Sequence, residues 1–289
     1  INAGFFRLDT SIFAGDAAGT LMIDNQLLSE SRDARSSIGI LNGTSKTEVF
    51  FGHPIYMGSI NGEKFTGLPL DGINRERKEG EVIAYTPAFG HSTLTTPNGV
   101  EMIVENGKVS AIVERGSSRI PSDGFVLSVE GEDAKSRIDM WRIGSRIRLS
   151  IGHKLPMYDF QADIEMEQAR RKRLLTFPDA VLYKMEDVTN GIPQLIKNGK
   201  IDITWEQEKA SKAFVETRHP RTAVAKLRDG KFLMITVDGR QPGVSVGMNL
   251  QELAEYLLGL GAVDAMNLDG GGSTTMFLDG KIVNTPSDK

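Results

Sequence analysis

Short apolar runs alternate with polar residues along most of the chain and are broken by glycine-containing turns, the pattern of half-buried β-strands. Four of the turns are explicit hairpin signals. Residues 101–104 and 108–113 flank Asn106-Gly107, and residues 195–197 and 200–203 flank Asn198-Gly199. Residues 222–227 and 231–237 flank Asp229-Gly230, and residues 275–278 and 281–283 flank Asp279-Gly280. Such dipeptides take the positive φ angles that match the twist of paired strands.

Helical periodicity is rarer. Residues 250–258 place Leu250, Leu253, Ala254, Leu257 and Leu258 on one face; Asn249 can cap the start, with Glu252 three residues on, and Gly259 is placed to end it. A second helix is expected over about 159–175, with the basic run 170–173 on a solvated face, and a short third over 33–40. Residues 75–150 are strand-like with frequent glycine. The pattern predicts one α+β domain over 1–289: a mixed, largely antiparallel sheet core, a few helices, and a β-rich lobe at 75–150 that is a subdomain or an insertion in the main sheet.

Composition narrows the picture. Of 289 residues, 39% are hydrophobic and 25% charged, as in a globular protein with a substantial core. The net charge of -4 argues against nucleic acid as the main partner, and no apolar run approaches the ~20 residues of a membrane span. Without cysteine there are neither disulfides nor thiolate metal sites, which fits the cytosol and fits export from bacteria equally. The chain starts at Ile1 with residues that already read as the inside of a motif, so an upstream segment including a signal peptide is expected.

The chemistry concentrates at Asn267-Leu268-Asp269-Gly270-Gly271-Gly272-Ser273-Thr274-Thr275-Met276, which follows the apolar run 262–266. Consecutive Gly270, Gly271 and Gly272 can aim successive N–H groups at one anionic oxygen; Ser273 and Thr274 add hydroxyls, and Asp269 a carboxylate. A plain strand-to-strand turn needs one or two glycines. Arg221 and Asp238 should lie at one end of the Asp229-Gly230 hairpin, with Arg240 just beyond. Arginine's planar fork suits phosphate, although Arg221 and Asp238 could equally form a structural ion pair. His219, before Pro220, could orient a carboxylate or face solvent. Ser245, between Gly243 and Gly247, could supply a donor, and Asn2 an amide. His53, His91 and His153 lack metal-ligand spacing and are read as structural; no metal or cofactor is expected.

Asn2–Phe6, residues 84–90, 120–128, 191–195, 218–223 and 237–247, and 267–276 running on to Asn284–Asp288, together and in this order, resemble the phosphodiester glycosidase family. Any one motif is modest; the ordered set spans nearly the whole chain. The resemblance implies an α+β fold, a sugar-1-phosphodiester or phosphoglycan substrate, an extracellular or cell-envelope location, and the first motif lying beside the last. Ile192 stands where bacterial relatives usually have a second glycine, and Thr285 where an arginine is common.

A phosphate monoester is a weaker base than an alkoxide, so a glycosyl phosphodiester needs less acid assistance than an ordinary glycoside. The catalytic task becomes holding phosphate charge and guiding water or a nucleophile to the anomeric carbon. Arginines and a backbone nest suit the first; Asp238 or Asp269 suits the second, as base or nucleophile, with retention or inversion open. Two other readings use the same residues: a non-catalytic module for phosphorylated glycans, and a metal-dependent phosphodiesterase cleaving P–O with the aspartates as ligands.

Overall fold

The structure, a computed structural model, describes residues 1–31, 35–43, 46–54, 56–63, 67–152 and 185–287. Its strands build four sheets of three to five strands and one two-stranded ribbon, Phe277–Leu278 with Lys281–Ile282, and nearly all the pairing is antiparallel. One orders Gln26–Ser29, Leu21–Ile23, Asp187–Asn190, Ser37–Asn42 and Thr47–Gly52; a second orders Lys108–Val113, Val100–Glu105, Gly124–Val129, Val82–Tyr85 and Gly72–Ile73. A third joins Ile147–Gly152, Met57–Gly62 and Leu68–Pro69. The fourth, which carries the candidate chemistry, orders Lys200–Ile201, Gln194–Lys197, Ala262–Asn267, Arg221–Leu227 and Phe232–Val237. Only Gly72–Ile73 and Val82–Tyr85 pair in parallel among these strands. With three α-helices among the described residues, the protein is a β-rich fold, and the α+β label fits it loosely.

All four expected hairpins form. At Asn106-Gly107 both residues take positive φ, 49° and 71°, the conformation that Asn-Gly adopts at little cost. The Leu250–Gly259 helix forms with a complete capping box: Asn249 accepts from the Glu252 amide, and the Glu252 carboxylate accepts from the Asn249 amide. Gly259, expected to end the helix, is its last helical residue. The left-handed position falls to Gly261, at φ 90°.

The expected helix at 33–40 is instead the Ser37–Asn42 strand, sandwiched between Asp187–Asn190 and Thr47–Gly52. Backbone pairing on both edges, together with burial of Ile38, outweighs the weak local preference of a polar run. The expected helix at 159–175 lies outside the described residues.

Two main cores result. The larger gathers Val82, Met102, Val104 and Leu127 of the second sheet with Ile60 and Ile147 of the third and Met185 and Val188 near the first. The other lies under the fourth sheet, where Leu250, Leu253, Ala254 and Leu257 pack fully buried against Leu195, Ala223, Ala225 and Ala265. Small residues at 223, 225 and 265 let the helix approach closely, so the sheet is a stiff platform for the loops at its end.

Candidate active site

Arg221 pairs with Val237 in the outer hairpin, and Ala223 pairs with Asn267 on the other side. Pro220, Asp238 and Leu268 therefore leave the sheet at one end. The Gly270 loop is pressed against Pro220: the Gly271 N–H donates to the Pro220 carbonyl at 2.9 Å, and a methyl group at Gly270 would come within 2.7 Å of that oxygen. Gly271 sits at φ 60° with the Arg240 guanidinium over it; an added Cβ would stand 3.2 Å from Nη2. Residues Gly271–Ser273 make one 3-10 turn. Glycine is required here by close approach as well as by φ.

Two of the three glycine amides are committed inside the protein rather than to an external anion. The Gly271 N–H is taken by Pro220, and the Gly270 N–H supports the Asp269 carboxylate. Buried N–H groups need partners, and the adjacent hairpin end supplies one. Thr274, expected to offer its hydroxyl, is fully buried, whereas Ser273 is half-buried and donates to Asp269.

Asp269 is half-buried, and burial raises its pKa above the ordinary carboxylate value; the bonds from Ser273 and Gly270 only partly offset this. Asn2 fixes the loop from behind. Its Nδ2 donates to the Asp269 carbonyl at 2.6 Å, while its Oδ1 accepts from Thr222 Oγ1 at 2.8 Å and from the Thr275 N–H at 3.0 Å. The first motif does lie beside the last, and the Asn2 carboxamide holds the loop together.

The two arginines differ in kind. Arg221 is 1% exposed: Nε donates to the Met248 carbonyl at 2.9 Å, Nη2 to Phe214 and Thr217 carbonyls at 2.8 and 2.9 Å, and the guanidinium lies 4.8 Å from the Phe214 ring centre. Burial, with Arg240 nearby, pushes its pKa down to about 10. Arg240 is exposed, at φ 55°, with Nη2 3.5 Å from His219 Nδ1. Burial, then Arg221 and Arg240, lowers the His219 pKa, which favours the neutral imidazole.

Asp238 forms no ion pair with Arg221. Its carboxylate accepts from Asn284 Nδ2 at 3.0 Å and from the Thr285 N–H at 2.9 Å. Asn284 also bonds the Thr274 carbonyl and the Met276 N–H, and Gln241 Nε2 donates to the Thr285 carbonyl. Asp238 thus ties residues 284–285 to the back of the glycine loop. Ser245 is used likewise: its hydroxyl donates to the Asp238 carbonyl and accepts from the Gly247 N–H. Asn284, Phe214 and the Pro220 carbonyl are structural partners of the site that single-residue reasoning passed over; only Asn284 had a signal, inside its Asn-Thr-Pro motif.

His53 is buried beside Glu208 and Ser36, in keeping with a structural role. His91 is exposed, and His153 lies outside the described residues. Among the described residues, no three His, Asp or Glu side chains are gathered as metal ligands, and no helix is long and apolar enough to cross a membrane.

The sequence profile of phosphodiester glycosidases matches residues 98–289, two thirds of the chain and all of this site except Asn2. The chain belongs to the phosphodiester glycosidase family. Mammalian N-acetylglucosamine-1-phosphodiester alpha-N-acetylglucosaminidases are similar over a shorter stretch, 40% identical over 108 residues for Bos taurus and 39% over 109 for Homo sapiens. Those stretches cover 34% of this chain and 20% and 21% of the two proteins, so the chain matches about a fifth of their length. An uncharacterised Rickettsia conorii protein is 23% identical over 256 residues, covering 82% of this chain and 74% of its own. The fold of this glycosidase-family chain recurs in a Synechocystis protein (TM-score 0.79, 24% identity, 99% of this chain and 48% of that one). It recurs also in a Burkholderia pseudomallei protein (0.75, 19%, 99% and 62%).

Proposed function

We propose that this chain is a hydrolase that cleaves the bond between a sugar's anomeric carbon and a phosphodiester, yielding the free sugar and a phosphate monoester. The observation that carries the reading is Asp269, a half-buried carboxylate of raised pKa beside a glycine turn that the Arg240 guanidinium overlies. Water attacks the anomeric carbon, the C–O bond breaks, and the electron pair leaves on the phosphate. Asp269 takes the proton from water, or attacks the carbon itself and is released by water in a second step. Arg240 offsets charge on the departing phosphate. Neutral His219, beside Arg240, can hydrogen-bond the phosphate or carry the last proton to it. Arg221 supports this arrangement from within by holding the 214–217 turn and the Met248 backbone. Asp238 supports it through Asn284, so Asp269 is the better candidate for the chemistry.

The family and the mammalian relatives' name support an N-acetylglucosamine-1-phosphodiester or a similar phosphoglycan as the substrate class, and we place that phosphoglycan in a bacterial envelope or exopolysaccharide. Hydrolysis of a glycosyl 1-phosphodiester in oxygen-18 water tests the reaction. Label in the sugar is the expected result. Label in the phosphate would mean P–O cleavage, and no turnover across a panel of glycosyl phosphodiesters would leave a binding module.

A further inference from the structure

A cavity of about 430 Å³ opens beside the first motif, and its residues have no part in the site above. The motif builds its wall: the Phe5 carbonyl accepts from the Ala18 N–H at 2.8 Å, and the Arg7 N–H donates to the Asp16 carbonyl at 2.9 Å. Asn2, which grips the Asp269 carbonyl, stands three residues before Phe5, so about 10 Å of chain joins the reacting carboxylate's loop to this wall.

The lining is charged, and its charges do not cancel. Arg7 is taken up by Asp9 and Glu76, each at 2.7 Å, and Arg75 by Glu81 at 2.7 Å and Glu30 at 2.9 Å, which leaves Arg35, Lys78 and Asp16 of the lining. Arg35 is half-buried and anchored by one bond, Nη1 to the Ala18 carbonyl at 2.5 Å; its other N–H groups have no partner among the described residues. A guanidinium held by one edge offers the other as a fork for a carboxylate or phosphate. The Asp16 carboxylate has no hydrogen-bond donor among the described residues and is free to accept hydroxyls. Phe89 adds an apolar face, its ring fixed against Tyr85 at 4.9 Å and Phe13 at 6.4 Å. One forked cation, one hydroxyl acceptor and one ring face in a pocket of monosaccharide scale form a recognition set for a sugar bearing one negative charge.

We propose that this cavity is a subsite for an acidic sugar residue in the alcohol half of the phosphodiester, with Arg35 on its carboxylate or phosphate and Asp16 on its hydroxyls. The assignment rests on the hydrolase reading above. Two esters test it: a glycosyl phosphodiester of a hexuronate and one of methanol. Arg35→Ala and Asp16→Asn should each raise KM for the hexuronate ester at least tenfold and leave both constants for the methyl ester unchanged. Lys78→Ala, which removes an exposed side chain with no partner among the described residues, should raise KM for the hexuronate ester alone about threefold, and reports on the cavity even if Arg35→Ala does not fold. Equal effects on the two esters, or none on either, would overturn the subsite.

Direct titration separates this proposal from the hydrolase reading, because it needs no turnover. Glucuronate, glucose 6-phosphate and glucose are each titrated into the whole chain by calorimetry. At least one acidic sugar should bind tenfold or more tightly than glucose, and the tighter of the two names the anion. Asp16→Asn and Lys78→Ala should weaken that binding, while Asp269→Asn should leave it intact. If neither acidic sugar binds better than glucose, the proposal fails, whatever the esters do.

Discussion

Arg221→Met replaces a buried guanidinium by an apolar side chain of similar length. The carbonyls of Phe214 and Thr217 lose their donor, and that of Met248 loses one of two, keeping the His219 N–H. At about 2 kcal/mol for each unsatisfied acceptor and about 1 kcal/mol for the third bond, the loss is roughly 5 kcal/mol. Removing a charge that is costly to bury acts the other way. A pKa lowered from 12.5 to about 10 corresponds to roughly 3 kcal/mol of that cost, so the net destabilisation is roughly 2 kcal/mol. For a chain of this size, with a urea m-value near ~3 kcal/mol/M, the unfolding midpoint should fall by about 0.7 M. Arg221→Lys should recover less than half, because one ammonium cannot span three carbonyls on two segments. Urea unfolding followed by tryptophan fluorescence measures both variants. If Arg221→Met unfolds within about 0.3 M of the parent yet loses glycosyl phosphodiester turnover, Arg221 is a ligand of the substrate and its supporting role is wrong.

Asp269→Asn should lower kcat at least ~100-fold with an unchanged unfolding midpoint, whereas Asp238→Asn should mainly lower the midpoint by releasing residues 284–285. Comparable kcat losses in both would return the choice between the two aspartates to open. The raised pKa of Asp269 means that its ionised form is lost early on acidification, so the acid limb of the kcat/KM profile should lie above the ordinary aspartate value and vanish in Asp269→Asn. Arg240→Ala should cost roughly 2–4 kcal/mol in kcat/KM, with lysine restoring only part; full rescue by lysine would remove forked phosphate recognition. Glu30 is pushed up to about 7 by burial, against 4.5 when unfolded, despite its Arg75 partner. Its folded form therefore holds the proton more tightly, and stability should decline as pH rises from 4.5 through 7, by up to about 3 kcal/mol. Glu30→Gln should flatten that slope in unfolding experiments run across the window, and an unaltered slope would mean that Glu30 does not cause it.

What was legible in the sequence was local. Asn106-Gly107 sets its own turn, and Asn249 with Glu252 caps its own helix, because the donors and acceptors lie within four residues. The Ser37–Asn42 strand carries no such local mark, because its state is decided by Asp187–Asn190, about 150 positions away. The candidate site divides in the same way. That Pro220, Asp238 and Asp269 would gather could be argued from strand ends alone. Which groups would be committed internally could not: Arg221 turns to carbonyls of residues 214, 217 and 248, Asp238 to residues 284 and 285, and the Gly271 amide to Pro220. Each of those partners is a backbone group or a short polar side chain, and no residue pattern marks it in advance.

The bond from Asn2 to the Asp269 carbonyl spans 267 positions, and this sets when the site can exist. At roughly 5–20 residues per second, a ribosome adds Asn2 about 13 to 53 seconds before it adds residue 269. Throughout that interval the leading segment has neither Thr222, nor the Asp269 carbonyl, nor Thr275 to bind. Closing so long a loop is among the last events open to the chain, since its entropy cost precedes any reward from the contact. A nascent chain stalled anywhere short of the glycine turn therefore has no site, however much of its sheet has formed. The candidate site is therefore completed late, when the two distant segments meet.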